Sequence, residues 1–272
     1  MTEMKKERLD VVLVEQGLFS SREKARRYIM TGDVLVNDIP IDKPGTKINP
    51  ASPIRLRRKP LQYVGRGGLK MEKALRVFPV SVADKVVIDI GASTGGFTDC
   101  ALRNGARKVY AIDVGYGQLA WKLRNSTQVI NMERTNIRHV TPADIGEPAQ
   151  LIVIDVSFIS LTKVLPAAVP LLDPLGDFLV LIKPQFEAGK ELVGKGGIVR
   201  DTNVHRKVLT DFYATLPSFG LEVWGLTVSP IKGSEGNIEF LAWLRTNESG
   251  SSAFDYAQAV EQVLQIHPEE GL

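Results

Sequence analysis

From Lys85 onward the chain alternates short, almost continuously apolar stretches with helical patterns: "KVVIDIG", "KVYAIDV", "TQVIN", "QLIVID" and "DFLVLIK". Side chains along a strand point alternately to the two faces of a sheet. A strand that is apolar at nearly every position is therefore buried on both sides. Strands of this kind separated by helices imply an α/β fold with a parallel sheet covered on both faces. Two later stretches, "GLEVWGLTVSP" and "NIEFLAWLR", also read as strands. Their closeness predicts an antiparallel hairpin at or near an edge, which makes the expected sheet mostly parallel and seven-stranded. This large domain is expected over residues 65–246. Residues 247–272 form a tail that begins flexibly and can end as a short helix.

The first 59 residues read as a separate, small α+β module. Leu9, Val12 and Leu13 have helical spacing, and Gly17 closes that helix. "SSRE" offers Ser20 as N-cap and Glu23 three residues on, a capping box for a second helix from about Ser21 to Thr31. Ala25 and Ile29 form its buried face, and Arg22 and Arg26 share the other. "DVLVN" follows as a strand, "DIP" as a turn and "PIRLRRK" as a basic strand. Five prolines punctuate residues 40–60 and mark a stiff connection, with the linker proper at 60–64.

Charge is uneven between these parts. Residues 1–60 hold 13 Lys and Arg against 8 Asp and Glu, a balance of +5; the remainder holds 21 against 23, a balance of −2. A basic N-terminal module suits an anionic polymer such as RNA or DNA, although a merely solvated basic face has the same composition. The stretch "SREKARRYIMTGDVLVN" and the surrounding residues, 8 to about 58, are similar to the S4 RNA-binding module. That resemblance implies a structured-RNA partner, with Arg8, Arg22, Arg26, Arg27, Arg57 and Arg58 as candidate phosphate contacts. A single cysteine, Cys100, rules out an internal disulfide, and a reducing, cytoplasmic setting is expected. No apolar run approaches the roughly 18 residues of a membrane helix.

In "VVIDIGASTGGFTDCAL" an apolar strand ends near Asp89, a glycine loop follows, and a helix begins near Gly96. A helix N-terminus with free amides, reached through glycines, is a nucleotide-binding device. A dinucleotide pyrophosphate calls for G-x-G-x-x-G. Here Ser93 stands at the second glycine position, and Asp89 would repel a phosphate. S-adenosylmethionine (SAM) carries an ammonium and a sulfonium and no phosphate, so an acid at the strand end is welcome. Asp113, ending the next strand, can accept from both ribose hydroxyls; its alternative role is a cap in a strand–helix turn. Met132 and Glu133, after the third strand, could border the adenine. The candidate cofactor residues are thus Asp89, Gly91, Ser93, Gly95, Phe97, Asp113, Met132 and Glu133.

Asp155 ends the fourth strand and Lys183 the fifth. Open parallel sheets bind ligands beyond their strand carboxyl ends, so both face one crevice. A lysine closing a strand as apolar as "FLVLI" is unusual, although a surface lysine with a snorkelling stem has the same local pattern. The motifs "YVGRGGLKMEKAL", "DIGASTGGFTD", "AIDVGYGQL", "DVSFISL", "LIKPQFE", "GGIVRD" and "GSEGNIEF" closely resemble the TlyA family. That family joins an S4 module to an FtsJ-like, Rossmann-like methyltransferase domain, and the resemblance spans residues 5–245. It implies SAM-dependent 2′-O-methylation of cytidine in ribosomal RNA of the small or large subunit, with ribosomal RNA or subunits as partner. It implies a Lys-Asp-Lys-Glu tetrad, matched here by Lys70, Asp155, Lys183 and Glu239. The chemistry assigns Lys183 as base, Asp155 and Lys70 as orienting groups and Glu239 as a supporting charge. No metal is called for: His139, His205 and His267 show no ligand spacing.

The family is also described as haemolytic, which nothing in the residues explains. A catalytically silent RNA-binding protein remains the alternative within the same module organisation, and a membrane-active haemolysin the alternative of another class. A base methyltransferase often carries prolines after its fourth strand, where this chain reads "DVSF".

Overall fold

In a computed structural model, residues 6–57, 62–247, 250 and 252–266 are described. The chain divides into two compact units, one ending at Pro60 and the other beginning at Leu61.

In the first unit, helices α1 (Leu9–Glu15) and α2 (Arg22–Ile29) pack together over Leu9, Leu13, Ala25 and Ile29, all buried. Strand β1 (Glu7–Arg8) leads into α1, and β2 (Val34–Val36), β3 (Ile39–Ile41), β4 (Lys47–Ile48) and β5 (Ile54–Leu56) follow α2. They form a two-stranded β1–β4 pair and a three-stranded sheet of order β3–β2–β5. Two local expectations are corrected. The cap of α2 is Ser21, whose hydroxyl accepts from Lys24 N, so Glu23 sits one position early and no capping box forms; Ser20 instead accepts from Lys24 Nζ. "DIP" is not a turn. Asn37 and Asp38, with φ of 51° and 61°, make the two-residue hairpin turn, and Ile39–Ile41 pairs with β2. Pro40 is tolerated there because β3 is an edge strand.

The second unit opens with helix α3 (Gly67–Val77), followed by β6 (Val86–Ile90), α4 (Gly96–Arg103), β7 (Lys108–Ile112), β8 (Val129–Met132), β9 (Ala149–Ile154), β10 (Leu172–Ile182), β11 (Leu221–Val228) and β12 (Phe240–Thr246). The sheet order is β11–β12–β10–β9–β6–β7–β8. All pairings are parallel except those of β12, which runs against both neighbours. The period-two pattern sorts the two faces. Ile88, Ile90, Ile152, Ile154, Phe178 and Val180 enter one core, and Val87, Leu151, Val153, Leu179 and Leu181 enter the other. Each such side chain, fully buried, contributes about 1.5–3 kcal/mol. The tail helix is Tyr256–Gln265, capped by Asp255, with Tyr256 stacked on Tyr213 at 4.3 Å between centroids.

Sheet direction places the chemistry. Asp155 follows β9, Lys183 follows β10, and Glu239 immediately precedes the reversed strand β12. Ile182 pairs with Phe240, so Lys183 and Glu239 emerge at the same edge. That edge is the one reached by the carboxyl ends of the parallel strands.

Candidate active site

In "GRGGLK", residues 65–70, Arg66 is the N-cap and Gly67 opens α3, so Lys70 lies inside the helix, in its first turn. The glycines let α3 press against α4. A Cβ on Gly96 would lie 2.8 Å from Gly68 N, and one on Gly68 would strike the Tyr63 ring. Only hydrogen side chains permit this approach, which carries Lys70 over the strand ends.

There the four predicted tetrad residues meet in one chain of opposite charges. Lys183 Nζ lies 2.6 Å from Asp155 Oδ1, Lys70 Nζ lies 3.5 Å from Asp155 Oδ2, and Lys70 Nζ lies 2.7 Å from Glu239 Oε2. Lys70, Lys183 and Glu239 are buried, and two ammonium groups balance two carboxylates. Burial strengthens such pairs and makes an unbalanced member costly.

These residues line a cavity of about 650 Å³. Its opposite wall is the glycine loop, with Asp89, Gly91, Ser93 and Phe97 among the lining residues. Asp89 is fully buried; Oδ2 accepts from Thr98 N at 2.9 Å and Thr98 Oγ1 at 2.6 Å, and Oδ1 has no partner among the described residues. Burial pushes its carboxyl up to about 7, against the Thr98 hydrogen bonds and with the charges of Asp155 and Asp113 adding to the rise. An orphaned, buried carboxylate oxygen behind a glycine loop is the donor-seeking group that a cationic cofactor satisfies, so the residues fit SAM. They do not fit a pyrophosphate, which Asp89 would repel.

Other predicted residues lie outside the cavity lining. Gly95, at φ 91°, is the N-cap of α4 and serves the backbone turn. Asp113 ties two loops together, accepting from Ser93 N at 2.8 Å and Gly115 N at 2.7 Å. Each of its oxygens keeps a lone pair for a further donor. Met132 ends β8, and Glu133 pairs with Arg124 at 2.6 Å.

In the first unit, Asp10 is buried and takes hydrogen bonds from Arg8 at 2.9 and 3.2 Å and from Arg22 at 3.0 Å. Burial raises the Asp10 pKa, but these bonds outweigh it and hold the carboxyl below its ordinary value. Arg8 and Arg22 thus brace the fold, a role that helical spacing does not reveal. Arg27 faces Glu23 at 3.5 Å; Arg26 and Arg57 are exposed. Arg58 lies outside the described residues, as does His267. His205 is buried against Val199 O and Phe240 and does not line the cavity.

Sequence reasoning missed four contributors. Ser157 Oγ accepts from Lys183 Nζ at 3.0 Å. Phe158, 91% exposed, stands 5.1 Å from Phe186, and both line the cavity. Asn237 is fully buried, and its amide spans Val199 N at 2.9 Å and Gly197 O at 2.9 Å. It thereby holds the glycine segment 194–197, part of which lines the cavity. "DVSF" and "KPQF" carried the available signal, as polar and aromatic residues directly past strand carboxyl ends. Nothing local marks Asn237.

Among the described residues, no helix is long and apolar enough to cross a membrane, and no group of three or more His, Cys, Asp or Glu could hold a metal.

Comparison with known proteins places two families on this chain: the FtsJ-like methyltransferases over residues 63–246 and the S4 domain over residues 7–53. A Bacillus subtilis protein named "Putative rRNA methyltransferase YqxC" is 54% identical over 267 residues, covering 97% of this chain and 94% of its own. The Mycobacterium tuberculosis protein named "16S/23S rRNA (cytidine-2'-O)-methyltransferase TlyA" is 40% identical over 263 residues, 96% of this chain and 98% of its own. A solved structure titled "Putative hemolysin from Streptococcus thermophilus" is 48% identical, with a TM-score of 0.74 over 96% of this chain and 95% of its own.

Proposed function

The chain belongs to the FtsJ-like methyltransferase family, in the TlyA-type group that carries an S4 domain, and from that membership we propose that it methylates the ribose 2′-hydroxyl of a cytidine in ribosomal RNA, using SAM. The observation that carries this reading is the buried charge chain Lys183–Asp155–Lys70–Glu239 facing the glycine loop across one cavity.

SAM supplies a methyl group on a positively charged sulfur. Asp89, Gly91, Ser93 and Phe97 would hold its amino-acid end, with Asp113, Met132 and Glu133 toward its nucleoside. Lys183, once it has given up its own proton, would take the proton of the attacking 2′-hydroxyl, and bound SAM would supply the methyl group that the oxygen accepts. Asp155 orients that amine, and Lys70 bridges Asp155 and Glu239, so the cluster keeps its shape when one proton moves. Phe158 and Phe186 offer an aromatic face beside the ribose position, on which an unstacked base can rest. In the S4 domain, the exposed Arg26 and Arg57 supply charge for the RNA backbone.

The test is mass mapping of ribose methylation in ribosomal RNA incubated with SAM, with and without the protein. Methyl transfer to cytidine ribose, in the RNA of one subunit or of both, is expected. Transfer to a base would overturn the assignment of the acceptor. Binding of RNA with no SAM-dependent transfer would return the silent RNA-binding alternative.

A further inference from the structure

We propose that Ser157 is a positioning residue that aims the Lys183 amine at the acceptor hydroxyl; the proposal rests on Lys183 acting as the base. The Lys183 nitrogen is tetrahedral, with one vertex bonded to its own side chain. A second points to Asp155 Oδ1 at 2.6 Å and a third to Ser157 Oγ at 3.0 Å. One vertex remains. In the neutral amine, two hydrogens kept on these two acceptors place the lone pair at that vertex. With Asp155 alone, the amine turns about its terminal carbon–nitrogen bond, and the lone pair samples two directions.

The surrounding backbone is built to hold Ser157 in place. Phe158, the next residue, has φ of 64°, a left-handed conformation that an aromatic residue adopts only under constraint. The far end of the same segment is clamped by Glu187, which accepts from Ser160 Oγ at 2.6 Å and Leu161 N at 2.8 Å. Glu187 ends the short helix Pro184–Glu187, and Lys183 is the N-cap of that helix. One short piece of chain therefore carries the amine and also anchors the loop that bears its second acceptor. A change in either would misdirect the lone pair without touching the cofactor wall.

The experiment compares Ser157→Ala, Ser157→Thr and Lys183→Ala with the wild-type protein in single-turnover methyl transfer, at saturating SAM and ribosomal RNA, across a pH series. SAM and RNA dissociation constants are measured alongside. Ser157→Ala is expected to lower the transfer rate about 10–100-fold, as small misplacements of reacting groups do. Both dissociation constants should stay near wild type, and the limb of the pH–rate profile belonging to the base should shift. Ser157→Thr, which keeps a hydroxyl, should recover most of the rate. A Ser157→Ala rate near wild type, with Lys183→Ala inactive, overturns this assignment alone. An unchanged transfer rate with weakened RNA binding makes Ser157 a substrate contact and overturns it too. Transfer persisting in Lys183→Ala removes the base itself, and this assignment with it.

Discussion

Lys70 and Glu239 form an ion pair of 2.7 Å with side chains 9% and 3% exposed. Their pairing joins the first helix of the methyltransferase domain to the reversed strand β12. Such a pair contributes geometry more than stability, since desolvation offsets much of the attraction. Removing one partner leaves the other buried and uncompensated.

Lys70→Ala is therefore expected to bind SAM and RNA nearly normally and to lose about 10²–10⁴-fold in single-turnover methyl transfer. Lys70→Arg should rescue poorly, because a planar fork does not replace a compact ammonium. The double variant Lys70→Ala/Glu239→Ala should regain thermal stability relative to Lys70→Ala while staying inactive. Recovery of activity in that double variant would show that the pair serves folding alone.

Asp89 is expected to make SAM binding depend on pH. Its carboxyl is raised to about 7 in the folded protein, from an ordinary value of 3.8. The folded chain thus holds the proton more tightly than the unfolded chain. The stability contributed by this group is fully present below the ordinary value and is lost as pH rises through about 7. Binding of a cationic cofactor needs the carboxylate, so SAM affinity should climb with pH through the neutral range and then level off. Asp89→Asn should bind weakly and lose that dependence. Calorimetry giving the same SAM affinity at pH values either side of 7 would sink the assignment.

Two of the three arginines of helix α2 should behave differently. Arg26→Ala is expected to weaken RNA binding and flatten its salt dependence without altering the melting temperature. Arg22→Ala removes one of the bonds that hold Asp10, and should lower the melting temperature. That stabilising contribution is present above the ordinary carboxylate range and is lost as pH falls through the depressed value for Asp10. A salt slope unchanged in Arg26→Ala would remove this face from the RNA interface.

Asn237→Ala should open the glycine segment 194–197. It leaves the buried Val199 amide without an acceptor, at a cost of about 1–3 kcal/mol. A lower melting temperature is expected together with a raised KM for RNA, and SAM affinity should hold. Normal RNA kinetics in a destabilised variant would make the clamp purely structural.

Much of this molecule was legible along the chain. Near-continuous apolar runs identified the strands of the large sheet, because a doubly covered strand tolerates few polar positions. Asp113, Asp155 and Lys183 at strand ends were visible for the same reason, as polar residues terminating runs that otherwise exclude them. The errors were local and had local causes. Ser20 and Ser21 are equivalent as sequence, and packing of α1 against α2 selected Ser21 as the cap. "DIP" contains a proline, yet an edge position spares its missing amide.

Residue type and spacing determined the fold class, the succession of strands along the chain and the polar groups at strand ends, and the resemblance to the TlyA family added Lys70 and Glu239. Tertiary structure decided which of them touch. The register of Ile182 on Phe240 brings Glu239 to the edge that carries Lys183, and the close approach of Gly68 to Gly96 lets Lys70 reach Asp155 and Glu239. The same packing diverts Arg8 and Arg22 to Asp10, gives Asp113 to two backbone amides and lends Ser157 to Lys183. Periodicity and propensity act over a few neighbouring residues, so they can be read along a chain. Hydrogen bonds and ion pairs form within about 3–4 Å in space, and that distance is set by how the sheet and helices pack.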